Sequence, residues 1–299
     1  MAFLESVDTT SLAYMINKTG GIPLVVKMTA ETAPYQFYIS LGIMIIGSLF
    51  TFMLMFTFAK PAISQATVQF TLAKIKKLTG RGILVIKHTT SGFLSQNMIT
   101  TETIRQVIKK ISEFKGKPFD LILYTPGGEI FSSMYISRIL KQYPAEIRAV
   151  VPIYSMSGGT LLALSCNKIF MNPNACLGPV DPQLGSLFSF GSAKVWSDLI
   201  KFKKKKVDDM SFNMAKIGEQ YTDSIKNAII ELVHDKVPAK KLIPFVNLLT
   251  AGNIEHAFPI TPQVLDSFGY DVNIIDDKLQ DALSDIATST MYEGVYASK

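Results

Sequence analysis

The chain has 299 residues, of which 48% are hydrophobic and 18% are charged, with a mean hydropathy of +0.25. This fits one globular domain of about 200 residues with a more apolar segment added. The net charge of +6 comes largely from lysines after residue 60 and from KFKKKK at 201–206. Without interleaved aromatic residues, we expect these runs to attract anionic membrane lipid rather than nucleic acid.

An apolar segment at residues 37–59, FYISLGIMIIGSLFTFMLMFTFA, carries no charged side chain. As a helix it would extend roughly 34 Å, enough to cross a bilayer core of about 30 Å. It begins too late and is too long for a cleaved signal peptide. Basic residues accumulate after it, so the positive-inside rule predicts an outside N-terminus and a cytoplasmic main domain. The alternative is a buried core helix.

The pattern predicts five segments. They are an N-terminal segment at 1–36, a transmembrane helix at 37–59, a juxtamembrane linker helix at 60–80, a soluble domain at 81–279 and a C-terminal tail at 280–299. We expect the tail to be loosely held, as chain ends commonly are.

Strands and helices alternate along the soluble domain. Short apolar runs predict strands at 82–88, 119–125, 147–153 and 168–173, and helical periodicity predicts helices at 99–114, 129–143, 157–166, 193–206 and 211–236. A loop rich in proline and glycine follows at 177–185, and a helix, a turn at Gly252 and Asn253 and a closing helix end the domain. Such alternation is typical of βαβ units, so the fold class is α/β with a mostly parallel sheet.

Two glycine-rich turns follow neighbouring strands, at the sheet edge where parallel sheets bind their ligands. In TPGGE, Gly127 and Gly128 open a helix, and in SMSGGT, Ser157 stands between a strand and a helix. A serine becomes a nucleophile when a base takes its proton and donors stabilise the oxyanion. The N–H of Gly158 with that of Gly128 or Gly127 would supply two donors. The alternative is close helix-on-sheet packing, which also needs small residues.

At these residues the chain resembles a known family. LYTPGGE, YSMSGGT and NKIFMNPNACLGPVDPQLG are similar to segments of the serine dehydrogenase proteinase family, membrane-anchored relatives of signal peptide peptidase A and of the Clp protease fold. GPVDPQ is the most specific of them. The resemblance implies a crotonase-like (Clp protease-like) ββα spiral, serine peptidase activity with Ser157 as nucleophile, and oxyanion donors at Gly128 and Gly158. It also implies homo-oligomers and a stomatin-type partner.

The base is less evident. Clp protease has a histidine in the region where this chain has Asp181 and Pro182, so a Ser-His-Asp triad is not expected. The resemblance to signal peptide peptidase A implies a Ser-Lys dyad instead, with the lysine further along the chain than the serine. Lys194 is the preferred candidate because it lies in the first turn of a predicted helix, where the dipole disfavours an ammonium, beside apolar neighbours. Lys201 is the second candidate, and Lys216 is a weaker one.

The remaining candidates are assigned structural or surface roles. Lys203–Lys206 and His234 are expected at the surface, while His88 and His256 are expected to form structural hydrogen bonds or to line the cleft. Asp181 is expected to order its loop or to orient the base, rather than to act as a nucleophile. Cys166 and Cys176 make no metal-ligand spacing with the three histidines, so we expect buried thiols and neither a metal nor a cofactor.

Three functional interpretations follow. The first is a membrane-anchored serine endopeptidase that cleaves peptides or membrane-protein segments through an acyl-enzyme. The second is a catalytically degenerate oligomeric membrane scaffold of the same fold, favoured by the missing histidine. A weaker third is acyl-CoA chemistry, which the same fold supports without a serine nucleophile.

Overall fold

The computed structural model describes residues 23–89, 97–186, 189–202, 208–250, 258–288 and 294–298, and it divides into two units, Met1–Ser64 and Gln65–Lys299. Its helices are α1 Pro23–Thr79, α2 Thr101–Glu113, α3 Ile130–Lys141, α4 Gly158–Ser165, α5 Ala193–Phe202, α6 Asp209–Val233, α7 Ala239–Thr250, α8 Pro262–Ser267 and α9 Asp277–Thr288. Its strands are β1 Gly82–Lys87, β2 Phe119–Tyr124, β3 Ile147–Val151, β4 Tyr154–Ser155, β5 Lys168–Met171, β6 Cys176–Leu177, β7 Gln183–Ser186, β8 Ser189–Ser192, β9 Val272–Ile274 and β10 Gly294–Ser298.

In the first unit, α1 presents exposed apolar side chains between Tyr35 and Met53. Within the residues that the structure describes, no helix combines the length and the apolarity needed to cross a membrane. The spanning segment at 37–59 therefore stays a prediction.

The second unit is built on a six-stranded sheet with the order β10-β1-β2-β3-β5-β9. The strands from β1 to β9 in this order pair in parallel, whereas β10 pairs antiparallel with β1. Nearly every residue of β1 and β2 is buried, because helices cover both faces of the sheet and short apolar runs satisfy both. The predicted strands at the positions of β1, β2, β3 and β5 are thus confirmed, as is the α/β class.

Alternation along β1 shows the two faces. Leu84 and Ile86 pack into a core with α2, α3, α4, α6 and α7. Ile83 and Val85 point the opposite way, where Leu72 of α1 and Ile286 of α9 cover them.

A second, shorter ladder explains the ββα repeat. After β3 the chain adds β4, which pairs in parallel with β6, and then enters α4. After β2, Thr125 bridges to Ser155 of β4 before the chain enters α3. Each repeat therefore contributes a long strand, a short extended step and a helix, which brings the starts of α3 and α4 together.

A buried ion-pair network closes the opposite end of the strands. The carboxylate of Asp120, 1% exposed, accepts two hydrogen bonds from Arg148 and one from Arg81, each at 2.7 Å. Hydrogen bonding to Asp120 raises the pKa of the Arg148 guanidinium. This arrangement links the starts of β1, β2 and β3.

The prediction of a loose tail from residue 280 is wrong. Ala282, Leu283 and Ile286 of α9 are buried against the sheet, and β10 completes its edge. The Nζ of Lys87, itself 1% exposed, donates to Ile286 O at 2.7 Å and Ala287 O at 3.2 Å at the end of α9. Apolar spacing in α9 and this buried cation hold the segment in place.

Two other expectations need adjustment. The predicted loop at 177–185 begins at the last residue of β6 and contains the start of a β7–β8 hairpin. The helix expected at 193–206 is described to Phe202, and residues 203–207 and the turn at Gly252 and Asn253 lie outside the described residues.

Candidate active site

Ser157 lies at the N-cap of α4, directly after β4, with φ +49° and ψ −118°. A positive φ is strained for a residue with a Cβ and is found where the surrounding structure enforces it. Backbone hydrogen bonds do so here: Met156 N–H donates to Thr125 O at 2.9 Å, and Thr160 N–H donates to Ser157 O at 2.9 Å. The serine side chain is half-buried, at the positive end of α4.

The facing turn contains Gly127 at φ +107° and Gly128 at φ +157°. Ile99 clamps it, because Ile99 N–H donates to Gly127 O at 2.8 Å and Ile99 O accepts from Glu129 N–H at 2.9 Å. A Cβ on Gly128 would lie 2.2 Å from Ile99 O, so only glycine fits. The Glu129 carboxylate joins the first turns of α2 and α3 by accepting from Thr101 N–H at 3.1 Å and Ser132 Oγ at 2.6 Å.

The two turns are in contact. A Cβ on Gly127 would lie 2.8 Å from Ser157 Cβ, and a Cβ on Gly158 would lie 3.5 Å from Gly128 N. Gly127 N–H donates to Thr125 Oγ1 at 3.1 Å, and Gly159 N–H donates to Met156 O at 2.8 Å. Within the described part of the chain, the N–H groups of Gly128 and Gly158 have no intramolecular acceptor. Of the two glycines in TPGGE, Gly128 is therefore the one whose N–H is available to a ligand.

Two of the candidate lysines, Lys194 and Lys201, share one carboxylate partner. Lys194 Nζ, on a side chain 38% exposed, donates to Asp198 Oδ2 at 2.5 Å, and Lys201 Nζ lies 3.9 Å from Asp198 Oδ1. These residues line a cavity of about 410 Å³ together with Asp181. Among the described residues, the Ser157 hydroxyl forms no hydrogen bond with either lysine or with any other group.

The GPVDPQ loop runs between the serine turn and this cavity. Thr160 Oγ1 accepts from Gly178 N–H at 3.1 Å, which ties the start of the loop to α4. At its end, Ala193 N–H donates to Pro182 O at 2.9 Å, so the loop also fixes the start of α5. Asp181, 4% exposed, accepts from Gln183 Nε2 at 2.7 Å, consistent with an ordering role.

Other sequence candidates lie elsewhere. Lys216 Nζ donates to Glu219 Oε2 at 2.8 Å, and this hydrogen bond lowers the pKa of Glu219. His234 is exposed, whereas His88 is buried and hydrogen-bonded to Thr125. His256 and Lys203–Lys206 lie outside the described residues.

Cys166 and Cys176 are free thiols. Burial raises the pKa of Cys166 to about 12, and it also raises the pKa of Cys176. The part of the chain that the structure describes contains no cluster of histidine, cysteine and carboxylate side chains able to hold a metal ion.

Sequence reasoning missed the residues that support the turns. Thr125 and Ile99 hold the glycine turn from two sides, and Ser133 lies against Gly158. A threonine directly before Pro-Gly-Gly is a recognisable local signal, because hydroxyls commonly cap turns two residues on. The contacts of Ile99 and Ser133 arise from the tertiary fold and leave no local pattern.

The chain is similar to a known protein family and to two uncharacterised proteins. A sequence profile described as ClpP-like SDH-type serine proteinase, where SDH denotes serine dehydrogenase, matches residues 37–283. An uncharacterised protein of Methanocaldococcus jannaschii is 38% identical over 176 residues, which are 58% of this chain and 60% of that protein. A second uncharacterised protein of the same organism is 30% identical over 208 residues, 68% of this chain and 70% of that one.

The chain is also similar to solved structures. The 1510-N membrane-bound stomatin-specific protease, in a mutant complex with a substrate peptide, is 20% identical with a TM-score of 0.43, covering 60% of this chain and 72% of that chain. ClpP1 from Listeria monocytogenes is 13% identical with a TM-score of 0.45, covering 71% of this chain and 96% of that chain. Because the matching profile covers most of the sequence, the chain belongs to the family of ClpP-like, serine dehydrogenase-type serine proteinases.

Proposed function

We propose that the protein is a serine endopeptidase in which Ser157 is the nucleophile and the N–H groups of Gly128 and Gly158 form the oxyanion hole. The observation that carries this proposal is the pair of unpartnered N–H groups in two touching turns, beside a serine held at positive φ. Family membership adds the reaction class. Packing alone would explain the glycines, but it does not require the strained serine backbone.

The proposed reaction passes through an acyl-enzyme. Ser157 Oγ bonds to the scissile carbonyl carbon while its proton moves to a neutral lysine Nζ, and the carbonyl oxygen becomes an oxyanion that Gly128 and Gly158 stabilise. The carbon–nitrogen bond then breaks, and the protonated Nζ donates its proton to the leaving amine. Water attacks the ester, Nζ accepts a water proton, and Ser157 Oγ is reprotonated as the acid product leaves.

We propose Lys194 as the base, with Lys201 as the alternative. Both lysines line the cavity at the end of the GPVDPQ loop. The start of the same loop is bound to α4, the helix that Ser157 precedes, so the loop connects the lysines to the serine turn. In the described conformation Lys194 Nζ donates a hydrogen bond to Asp198. For the mechanism to operate, Lys194 must release this carboxylate and reach Ser157.

Fluorophosphonate labelling tests the nucleophile, and peptide hydrolysis tests turnover. We expect the wild type to react and Ser157→Ala to show no labelling. Lys194→Ala should lower hydrolysis by about 10²- to 10⁴-fold, the usual contribution of a general base. Full activity in Lys194→Ala together with loss in Lys201→Ala would reassign the base to Lys201.

A scaffold is the second candidate function, favoured by the Ser157 hydroxyl, which lacks a hydrogen-bond partner among the described residues. In that case the wild type would remain unlabelled by the probe and would hydrolyse no peptide. Self-association would persist, because the fold and the apolar segment are retained.

We further propose that residues 37–59 anchor the chain in a membrane as a single-pass helix, with the main domain in the cytoplasm. Support comes from the uncharged sequence, from the exposed apolar side chains between Tyr35 and Met53, and from the start of the family match at residue 37. Homo-oligomers, contact with lipid, peptide or membrane-protein substrates and a stomatin-type partner belong to the same proposal. Carbonate extraction of membranes tests the anchor, since a spanning chain stays in the pellet.

A further inference from the structure

Thr125 occupies the junction between the two glycine turns. It follows β2, is 0% exposed, and its backbone accepts from Met156 N–H at 2.9 Å and donates to Tyr154 O at 3.3 Å. Its methyl group reaches the first turn of α4, where a Cβ on Gly159 would lie 2.6 Å from Thr125 Cγ2. One buried threonine thus contacts both turns of the proposed oxyanion hole.

The Thr125 hydroxyl acts on both peptide planes that flank Gly127. Oγ1 accepts from Gly127 N–H at 3.1 Å and lies 3.5 Å from Gly127 O. The second plane also carries Gly128 N–H, and N–H and C=O point in opposite directions across a trans peptide. Holding Gly127 O on one side, where Ile99 N–H also binds it, therefore directs Gly128 N–H toward the other side.

His88 completes this hydrogen bonding from the end of β1. Its backbone N–H donates to Tyr124 O at 2.8 Å, and Nδ1 lies 3.3 Å from Thr125 Oγ1. It follows Leu84 and Ile86 in the alternation of β1, so its side chain is on the face that α4 covers. A hydroxyl has one proton and two lone pairs, so Oγ1 can accept from Gly127 N–H and from Nδ1–H while it donates to Gly127 O.

We propose that Thr125 and His88 are positioning residues that hold the Gly127–Gly128 peptide with its N–H directed at the oxyanion, an inference that rests on the proposed peptidase function. Glycine gives this turn its unusual dihedral angles but also leaves it free to rotate. The hydroxyl supplies the restraint that glycine lacks, and His88 fixes the orientation of the hydroxyl. Neither residue needs to touch the substrate.

The test compares Thr125→Val, which keeps the shape and loses the hydroxyl, with Thr125→Ser, which keeps the hydroxyl. Measured on the full chain, Thr125→Val should lower kcat and the rate of fluorophosphonate labelling by about 10- to 100-fold with KM changed less than about twofold, since a misplaced oxyanion donor acts in the transition state. Thr125→Ser should stay within about threefold of wild type. His88→Phe should lower kcat by about tenfold, and His88→Asn, which retains a donor, by less.

A matched control is Thr71→Val, which removes a threonine hydroxyl of comparable burial, 5% exposed, from α1. It should leave kcat and labelling unchanged. The proposal would be overturned if Thr125→Val were labelled at the wild-type rate, or if its loss of activity appeared in KM alone. A merely structural role would lower the thermal midpoint of both valine variants without this difference in kcat.

An unreactive wild type would contradict the proposed function and not the positioning itself. Hydrogen exchange then decides the positioning, because Gly127 N–H is protected by Thr125 Oγ1. Faster exchange at Gly127 in Thr125→Val, with α2 unchanged, supports the inference. Unchanged exchange at Gly127 overturns it.

Discussion

Replacing Gly158 by alanine tests how closely α3 and α4 must approach for the serine turn to form. The added Cβ would lie 2.1 Å from Ser133 Oγ and 2.8 Å from Ser133 Cβ. Van der Waals contact requires about 1 Å more than this, so the first turn of α4 must move by roughly that amount in a densely packed interior. Overpacking of this kind costs about 1–3 kcal/mol in the free energy of unfolding.

The same movement displaces a proposed oxyanion donor. A shift of about 1 Å in a catalytic group can lower the rate by about 10²-fold, so Gly158→Ala should lower both stability and the rate of fluorophosphonate labelling. Urea unfolding followed by circular dichroism measures the first effect, and time-resolved labelling measures the second. Gly191→Ala is the control, because its Cβ would have no described atom closer than 3.8 Å.

A double-mutant cycle identifies the cause. Ser133→Gly removes both clashing atoms at a helix position and should itself cost about 0.5–1 kcal/mol. In the double variant we expect most of the loss from Gly158→Ala to disappear, because the two side chains no longer compete for one space. Strictly additive losses, or a Gly158→Ala variant as stable and as reactive as wild type, would refute the reasoning.

Two other predictions concern stability. Asp120→Asn should lower the free energy of unfolding by about 3–5 kcal/mol, because two guanidinium groups lose their buried carboxylate; a change under about 1 kcal/mol by urea titration would contradict this. Burial lowers the pKa of Lys236 to about 8, while its Nζ donates to Leu164 O and Cys166 O at the end of α4. The cost of burying the ammonium is therefore complete below pH 8 and falls as the pH rises toward 10.5. Relative to Lys236→Met, the wild type should therefore gain up to about 3 kcal/mol in the free energy of unfolding across that interval. The raised pKa of Cys166 lowers stability above pH 9, but Cys166 is present in both proteins, so its effect cancels in the comparison. Parallel pH profiles of the two proteins would contradict the prediction.

Much of the sheet could be predicted because local sequence and tertiary role agree. β1 and β2 are short apolar runs buried on both faces, and the helices that follow them have the polar residues Thr100 and Glu129 at their N-caps. The parallel order of these strands then brings the turns after β2 and β4 together. Ser157 and its glycines were therefore accessible to sequence reasoning.

The C-terminal segment and the base were less accessible for physical reasons. β10 owes its structure to pairing with β1, far away in the sequence, and its own residues carry little strand pattern. Lys194 could be named from spacing, but its partner Asp198 depends on helix geometry one turn later. His88 was expected to form a structural hydrogen bond or to line the cleft, whereas its contact with Thr125 depends on neighbouring strand ends.

The edge position of β10 has a consequence for biosynthesis. Lys87 and its acceptor Ile286 are separated by 199 positions, and β10 is made later still. At about 5–20 residues per second, the ribosome needs about 10–40 s to supply them after β1 has been made. During that interval the apolar strand GILVIK has an open side, and unpaired apolar edges template association between chains. Nascent chains on one messenger RNA are thus exposed to mispairing through β1 for longer than the short loops of the fold suggest. A holding chaperone bound at the open side of β1 should be released when β10 emerges from the ribosome.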